Sequence, residues 1–213
     1  MKLPIIFIVA AYFIGSIPFG VLIASARGKN LRKIGSGNIG ATNLARALGK
    51  KWGYLCFVLD VSKGLIPVLI AGRLLTKQPE AIDLLWWLAV GCAAIIGHIF
   101  SVYLKFTGGK GVATSFGVAL GLWPYFTICA GIAIIVWLFV LFAWRYVSLA
   151  SITASVSFPV AFILLIILES SWRFTELWPL LIAAVGIPVM VIIRHRENIK
   201  RIMAGTENKI FQK

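Results

Sequence analysis

Stretches of apolar sequence at about 3–25, 53–75, 83–103, 111–122, 125–143, 149–168 and 176–194 constrain this chain more than any other feature. All but the fourth approach the roughly 20 apolar residues that a helix needs to cross a hydrocarbon core about 30 Å thick. Inside that core every backbone N–H and C=O must be satisfied within the segment, so such spans fold as helices. A β-barrel would instead show short alternating strands. The expected fold is therefore all-α, a polytopic integral membrane protein with about seven transmembrane helices. The fourth stretch is short, and is expected to be tilted or held by protein neighbours, with Trp123-Pro124 as the turn after it. Of 213 residues, 60% are hydrophobic and 13% charged, more apolar than a soluble core of this length requires. Residues 1–213 are read as a single transmembrane domain with no low-complexity linker. The first stretch lacks a small-residue cleavage pattern, so a retained helix is expected.

The formal net charge is +14. In a soluble protein that would suggest nucleic acid; in this chain membrane topology accounts for it, and no nucleic-acid partner is expected. Cationic residues gather in cytoplasmic loops. The loop 26–52 carries Arg27, Lys29, Arg32, Lys33, Arg46, Lys50 and Lys51. Lys105 and Lys110 lie between the third and fourth spans, Arg145 follows the fifth, and the tail holds Arg194, Arg196, Lys200, Arg201, Lys209 and Lys213. Seven spans put all of these on one face. The other face has Lys2, Arg73, Lys77 and Arg173, accompanied by Glu80, Asp83, Glu169 and Glu176. The first face is therefore expected to be cytoplasmic, with the N-terminus outside and the C-terminus inside. Trp86 and Trp87 are expected to anchor the outer boundary.

That orientation places the unusual polar motifs on the cytoplasmic face: residues 35–46, residues 107–115, the Ser148 turn and residues 195–207. Gly35, Gly37 and Gly40 fit GxGxxG, but a dinucleotide fingerprint needs a preceding strand, and here an apolar helix precedes it. The pattern is better explained as an anion-binding nest, in which glycines turn backbone N–H groups inward. Ser36, Asn38, Thr42 and Asn43 add neutral donors, and Arg46 adds a planar cation suited to phosphate. A flexible basic loop touching anionic headgroups would explain the lysines but not the glycines and small donors. Gly108, Gly109 and Gly111 flank Lys110 just before the fourth helix, where free N–H groups attract anions. Gly37-x-x-x-Ala41-Thr42-Asn43 and Gly109-x-x-x-Ala113-Thr114-Ser115 share a pattern, which suggests two phosphates or one held from both sides.

Arg194, Asn198 and Arg201 are spaced to share one helix face, with His195 and Asn198 as i, i+3 neighbours. The arginines serve equally as C-terminal caps, whereas His195 and Asn198 suit a substrate hydroxyl. Ser148 is either an N-cap or one more donor. Asp60 and Lys63 are expected to form an internal ion pair and His98 to be a satisfied interfacial histidine. Cys56, Cys92 and Cys129 are scattered singly in apolar spans and behave as small hydrophobes, so neither a metal nor another cofactor is expected.

Taken together, GSGNIGATNLAR, then GHIF with FTGGKGVATS, then HRENIKRIMAGTE resemble the signature motifs of the bacterial membrane acyl-phosphate:glycerol-3-phosphate acyltransferases, the PlsY family. DVSKGLIP at 60–67 is also similar to a recurring family segment. The resemblance implies a seven-helix enzyme of the inner membrane, active at its cytoplasmic face. It would move a fatty acyl group from acyl phosphate to the 1-hydroxyl of glycerol 3-phosphate, giving lysophosphatidate and phosphate. The resemblance implies no cofactor and no obligatory protein partner. It makes Ser36 and Arg46 substrate-positioning residues, Lys110 with its glycines a phosphate cradle, His195 and Asn198 the residues that orient the glycerol hydroxyl, and Glu207 structural. Ser101 stands where the family often has proline and Thr107 where it often has a cation, departures expected to loosen the loop or remove a charge.

An acyl phosphate is already activated, so the enzyme needs mainly alignment and charge stabilisation. With no Ser-His-Asp arrangement in the sequence, a substrate phosphate oxygen is the expected proton acceptor. Two rivals use the same features. An anion transporter predicts polar residues along a path near the midplane, and few exist beyond Asp60 and Lys63. A scaffold for cytoplasmic enzymes predicts no turnover and tolerance of Ser36→Ala.

Overall fold

The computed structural model describes residues 2–75 and 80–210, with the Lys2 side chain left aside; the expectations placed on Lys2, Lys77 and Lys213 lie outside the described residues. The described residues fold into helices joined by loops, with no strand. In order the helices are α1 (Lys2–Ser16), α2 (Phe19–Ser25), α3 (Ala41–Leu48), α4 (Lys50–Leu75), α5 (Ala81–Ile99), α6 (Val112–Gly121), α7 (Tyr125–Trp144), α8 (Val147–Leu168), α9 (Phe174–Arg194) and α10 (Arg196–Met203). Among the described residues six segments are long and apolar enough to cross a membrane: Leu3–Ser25, Lys50–Leu75, Ala81–Leu104, Tyr125–Trp144, Val147–Leu168 and Phe174–Arg194. The seventh expected span is α6, a shorter apolar helix.

Two details depart from the sequence reading. The first span breaks between α1 and α2, because Pro18 offers no N–H and disfavours a helical residue before it. The GSGNIGATN run is loop only as far as Gly40; residues from Ala41 form α3, an amphipathic helix that buries Asn43 and Leu44.

The chain divides into two compact units. The first comprises Met1–Lys77 and Trp86–Leu122. Its centre is the pairing of α4 with α6, brought to backbone contact by glycine. A Cβ on Gly117 would overlap the Val61 carbonyl oxygen, and one on Gly64 would overlap that of Thr114. Small residues let apolar helices approach closely where lipid supplies no hydrophobic driving force. Packed this way α6 buries Thr114, Gly117, Val118, Ala119 and Gly121, which is how a ten-residue helix is held by its neighbours. The expected role of Trp87 is corrected here. It is buried, its indole N–H donates to the Val68 carbonyl at 2.7 Å, and its ring lies against Gly72, so it packs the helices instead of anchoring at headgroups.

The second unit comprises Gln78–Leu85 and Trp123–Lys213. Here α7 and α8 pair, with Phe126 set edge-on against Phe158 and Phe162. Ile135, Phe139 and Phe142 of α7 remain 67% exposed, as expected of side chains that face lipid tails. Ile210 folds back so that its N–H meets the Arg145 carbonyl, and its side chain packs on the Val140, Leu141 and Ala150 cluster.

Candidate functional site and family

The polar motifs form one centre in each unit. In the first unit the turn before α3 is built around Asn43. This buried side chain accepts from the Ser36 N–H at 3.1 Å and donates to the carbonyls of Asn38, Ile34 and Leu31 at 2.8, 3.0 and 3.2 Å. Gly35 and Gly37 both have positive φ, and a Cβ on Gly35 would crowd the Asn43 amide oxygen. Glycine is therefore required on both counts. The Gly37 N–H meets the Ile34 carbonyl, and the Asn38 side chain accepts from Gly40 N–H.

These contacts correct the idea of an open N–H nest. The N–H groups of Ser36, Gly37 and Gly40 are spent inside the turn, and Asn43 builds the turn instead of presenting a donor. The polar side chains this segment presents are the exposed Ser36 hydroxyl, the half-buried Thr42 in the first turn of α3, and the exposed Arg46 in its last turn.

The second glycine loop is also self-braced. Gly108 N–H and Gly109 N–H donate to the carbonyls of Ile99 and His98, capping the end of α5, so they too are unavailable to an anion. A Cβ on Gly109 would overlap the His98 ring, which explains glycine there. Gly111 turns the chain with φ +85° into α6, leaving the Lys110 side chain half-buried. The letters shared by the two loops fall one residue apart in helical register, since Ala41 is the first residue of α3 and Ala113 the second of α6. Asn43 and Thr114 thus occupy equivalent third positions, both buried, and the Thr114 hydroxyl has no hydrogen-bond partner among the described residues.

The loops are joined. The Arg32 guanidinium donates through Nη2 to the carbonyl oxygen and to the Oγ1 of Thr107, the latter at 3.0 Å. Ser101 Oγ donates to the Ser16 carbonyl at 2.6 Å. The residues expected to loosen this region are thus two of its ties. Below, Asp60 pairs with Lys63 at 2.7 Å, Lys63 donates to the Ile17 carbonyl at the α1–α2 break, and His98 Nδ1 lies 3.8 Å from Asp60. The ion pair is the internal one anticipated, and it reaches a third element. Asp60 is the only carboxylate in the sequence of this unit, against nine lysines and four arginines. Cations so unbalanced are suited to an anionic ligand.

In the second unit Ser148, Asn198 and Arg201 converge on Glu207. Ser148 Oγ and Asn198 Nδ2 donate to Oε1 at 2.8 and 2.6 Å, and Arg201 Nε donates to Oε2 at 2.7 Å. Burial pushes the Glu207 carboxyl up. The hydrogen bonds from Arg201, Asn198 and Ser148, with the Arg201 charge, outweigh this and hold it below the ordinary carboxylate value. The expected shared face is corrected, because the helix breaks at His195 (φ −100°, ψ 5°), so Arg194 ends α9 while Asn198 and Arg201 belong to α10. His195 is buried, with Nδ1 2.7 Å from the Val191 carbonyl. That contact places the proton of a neutral ring on Nδ1 and makes Nε2 the acceptor.

Apolar helices long enough to cross a membrane, with cationic glycine loops between them, define a membrane-protein class suited to an anionic ligand. The family model for glycerol-3-phosphate acyltransferase matches residues 5–205. The glycerol-3-phosphate acyltransferase of Geotalea daltonii is 46% identical over 208 residues, 98% of each chain. That of Aquifex aeolicus is 43% identical over 204 residues, 95% of this chain and 96% of the relative. A crystal structure of PlsY, an integral membrane glycerol 3-phosphate acyltransferase in its glycerol 3-phosphate form, superposes with TM-score 0.84 at 40% identity, covering 98% of this chain and 99% of the other. Its lysophosphatidic acid form gives 0.81 at 39% identity, with 97% and 94% covered. This chain belongs to the glycerol-3-phosphate acyltransferase family.

Proposed function

We propose that this chain uses acyl phosphate as donor and acylates the 1-hydroxyl of glycerol 3-phosphate at the cytoplasmic face of a bacterial inner membrane, with the N-terminus outside and the C-terminus inside. The observation that carries the donor assignment is the charge of the first unit, whose single carboxylate is buried against Lys63. Two phosphate-bearing substrates suit that imbalance. PlsY has been crystallised in a glycerol 3-phosphate form and a lysophosphatidic acid form, which supports this substrate and product pair. The seven-span topology rests on α6 counting as a held span and on the bias of Lys and Arg toward one set of loops.

In the proposed reaction the glycerol hydroxyl oxygen attacks the acyl carbonyl carbon, the bond from that carbon to the phosphate oxygen breaks, and inorganic phosphate leaves. The hydroxyl proton passes to a phosphate oxygen. Arg46 and Lys110 neutralise phosphate charge, and Ser36 positions substrate. His195 and Asn198 orient the glycerol so that its 1-hydroxyl oxygen lies in line with the acyl carbon. Asn43 and the glycines shape the loops around those groups, and Glu207 holds α10.

The test is turnover of the purified protein in lipid with palmitoyl phosphate and labelled glycerol 3-phosphate, with palmitoyl-CoA as a parallel donor. Lysophosphatidate and equimolar phosphate from acyl phosphate alone are expected. Product from the CoA donor alone would overturn the donor assignment, and labelling of both termini from the same side of sealed vesicles would overturn the topology.

A further inference from the structure

We infer that Arg32 is a phosphate-binding residue of this enzyme, held in place by Thr107 and supplying the substrate phosphate with the two donor groups of its guanidinium that Thr107 does not use. This rests on the reading of the glycine loops as holders of a substrate phosphate.

A guanidinium presents five N–H donors in a fixed fork. Arg32 commits Nη2 to Thr107, 75 residues away, and its Nη1 and Nε make no hydrogen bond among the described residues. The residue is exposed and forms no ion pair with a described carboxylate. A long side chain pinned at one nitrogen has already lost the rotamer freedom that binding would otherwise remove, so its remaining donors are preorganised. Thr107 adjoins the Gly108–Gly111 loop, so the pinned charge stands one residue from that loop.

Nearby cations are differently engaged. Arg27 stacks on the Trp52 ring at 4.1 Å, and Lys29 donates to the Ala47 carbonyl at the end of α3. Open space accompanies Arg32, which lines a surface cavity of about 480 Å³ together with Val21, Ser25, Lys29 and Leu31. A cation beside small donors and apolar walls suits a phosphate carrying an acyl chain as well as the compact phosphate of glycerol 3-phosphate. The shared chemistry is a phosphate group, and the kinetic arms below tell the two apart.

The experiment compares wild type, Arg32→Ala, Arg32→Lys, Thr107→Val and the double variant Arg32→Ala/Thr107→Lys, all full-length and in lipid. KM for glycerol 3-phosphate, KM for acyl phosphate, kcat and Tm are measured for each. Arg32→Ala is expected to raise one of the two KM values about tenfold or more, the loss of a charge-assisted hydrogen bond, with Tm close to wild type. The substrate whose KM moves identifies the phosphate. Arg32→Lys keeps the charge without the fork and should fall between. Thr107→Val should raise the same KM by a smaller factor, and the relocated ammonium of the double variant should recover part of the loss. Unchanged KM values for both substrates, or a fall in Tm and kcat alone without recovery in the double variant, overturn the inference and leave Arg32 as a strut between loops. If wild type works only with the CoA donor, the donor assignment fails separately, and the KM for glycerol 3-phosphate alone decides Arg32.

Discussion

Ser148 Oγ donates to Glu207 Oε1 at 2.8 Å across 59 residues of sequence, tying the start of α8 to the chain just beyond α10. Asn198 shares the same oxygen and Arg201 takes the other, so one buried carboxylate organises the chain on both sides of α10.

The lowered Glu207 pKa carries a pH dependence. Its folded value lies below its unfolded one, so its contribution to stability is complete above the ordinary carboxylate range and is lost as pH falls through the folded value. Thermal unfolding in lipid from neutral to acid pH should show this loss in wild type, and Glu207→Gln should flatten that part of the profile. Glu207→Ala should cost about 2–4 kcal/mol at neutral pH by stranding the donors of Ser148, Asn198 and Arg201. An identical acid profile for wild type and Glu207→Gln would show that another carboxyl governs it.

Asn43→Ala removes the acceptor for Ser36 N–H and the donor to three carbonyls. The expected cost is about 2–3 kcal/mol, with activity lost through disorder of the Gly35–Gly40 turn. Asn43→Asp keeps the acceptor and loses the donors, so it should not rescue stability. Protease accessibility of the 35–40 segment, alongside Tm, separates a loosened turn from a globally unfolded chain.

Glycine substitutions should divide by what the added carbon meets. Gly117→Ala would press on the Val61 carbonyl and force α4 and α6 apart, costing about 1–3 kcal/mol. Gly131 and Gly186 lie in helices with open space around them, so Gly131→Ala and Gly186→Ala should be neutral or stabilise by up to about 1 kcal/mol. Equal Tm values for all of these variants would refute the close approach of α4 and α6.

Kinetics should separate charge from orientation. Lys110→Ala and Arg46→Ala are each expected to lower kcat/KM by about 10- to 100-fold, largely through KM, as loss of a charged hydrogen bond would do. His195→Ala should act mainly on kcat. A complete loss of kcat in His195→Ala, with unchanged substrate binding and a wild-type Tm, would point to His195 as the base and away from a substrate phosphate oxygen.

The resemblance named the family from three motifs in order, and the family comparison agrees. Residue by residue, the sequence was less informative. It gave Arg32 no more than a place among the loop cations, since nothing local marks a partner 75 residues away. It assigned Trp87 to the membrane boundary because hydropathy does not tell an indole facing headgroups from one donating to Val68 across a helix pair. It continued one helix face through Arg194, Asn198 and Arg201, because spacing alone does not reveal a break at His195.

What the sequence determined by itself is what short-range physics controls. Apolar length demands helices in a bilayer, and cations set among glycines mark the polar loops between them. The tertiary structure alone decided which polar groups remain available. The N–H groups of Ser36, Gly37, Gly108 and Gly109 are consumed by Asn43, Ile34, Ile99 and His98, and the bonds they donate to Asn43 and to the end of α5 depend on segments that folding must first bring together. A donor's availability is a property of its surroundings, and for the Ser36, Gly108 and Gly109 N–H groups those surroundings exist only once the loops have folded back onto α3 and α5.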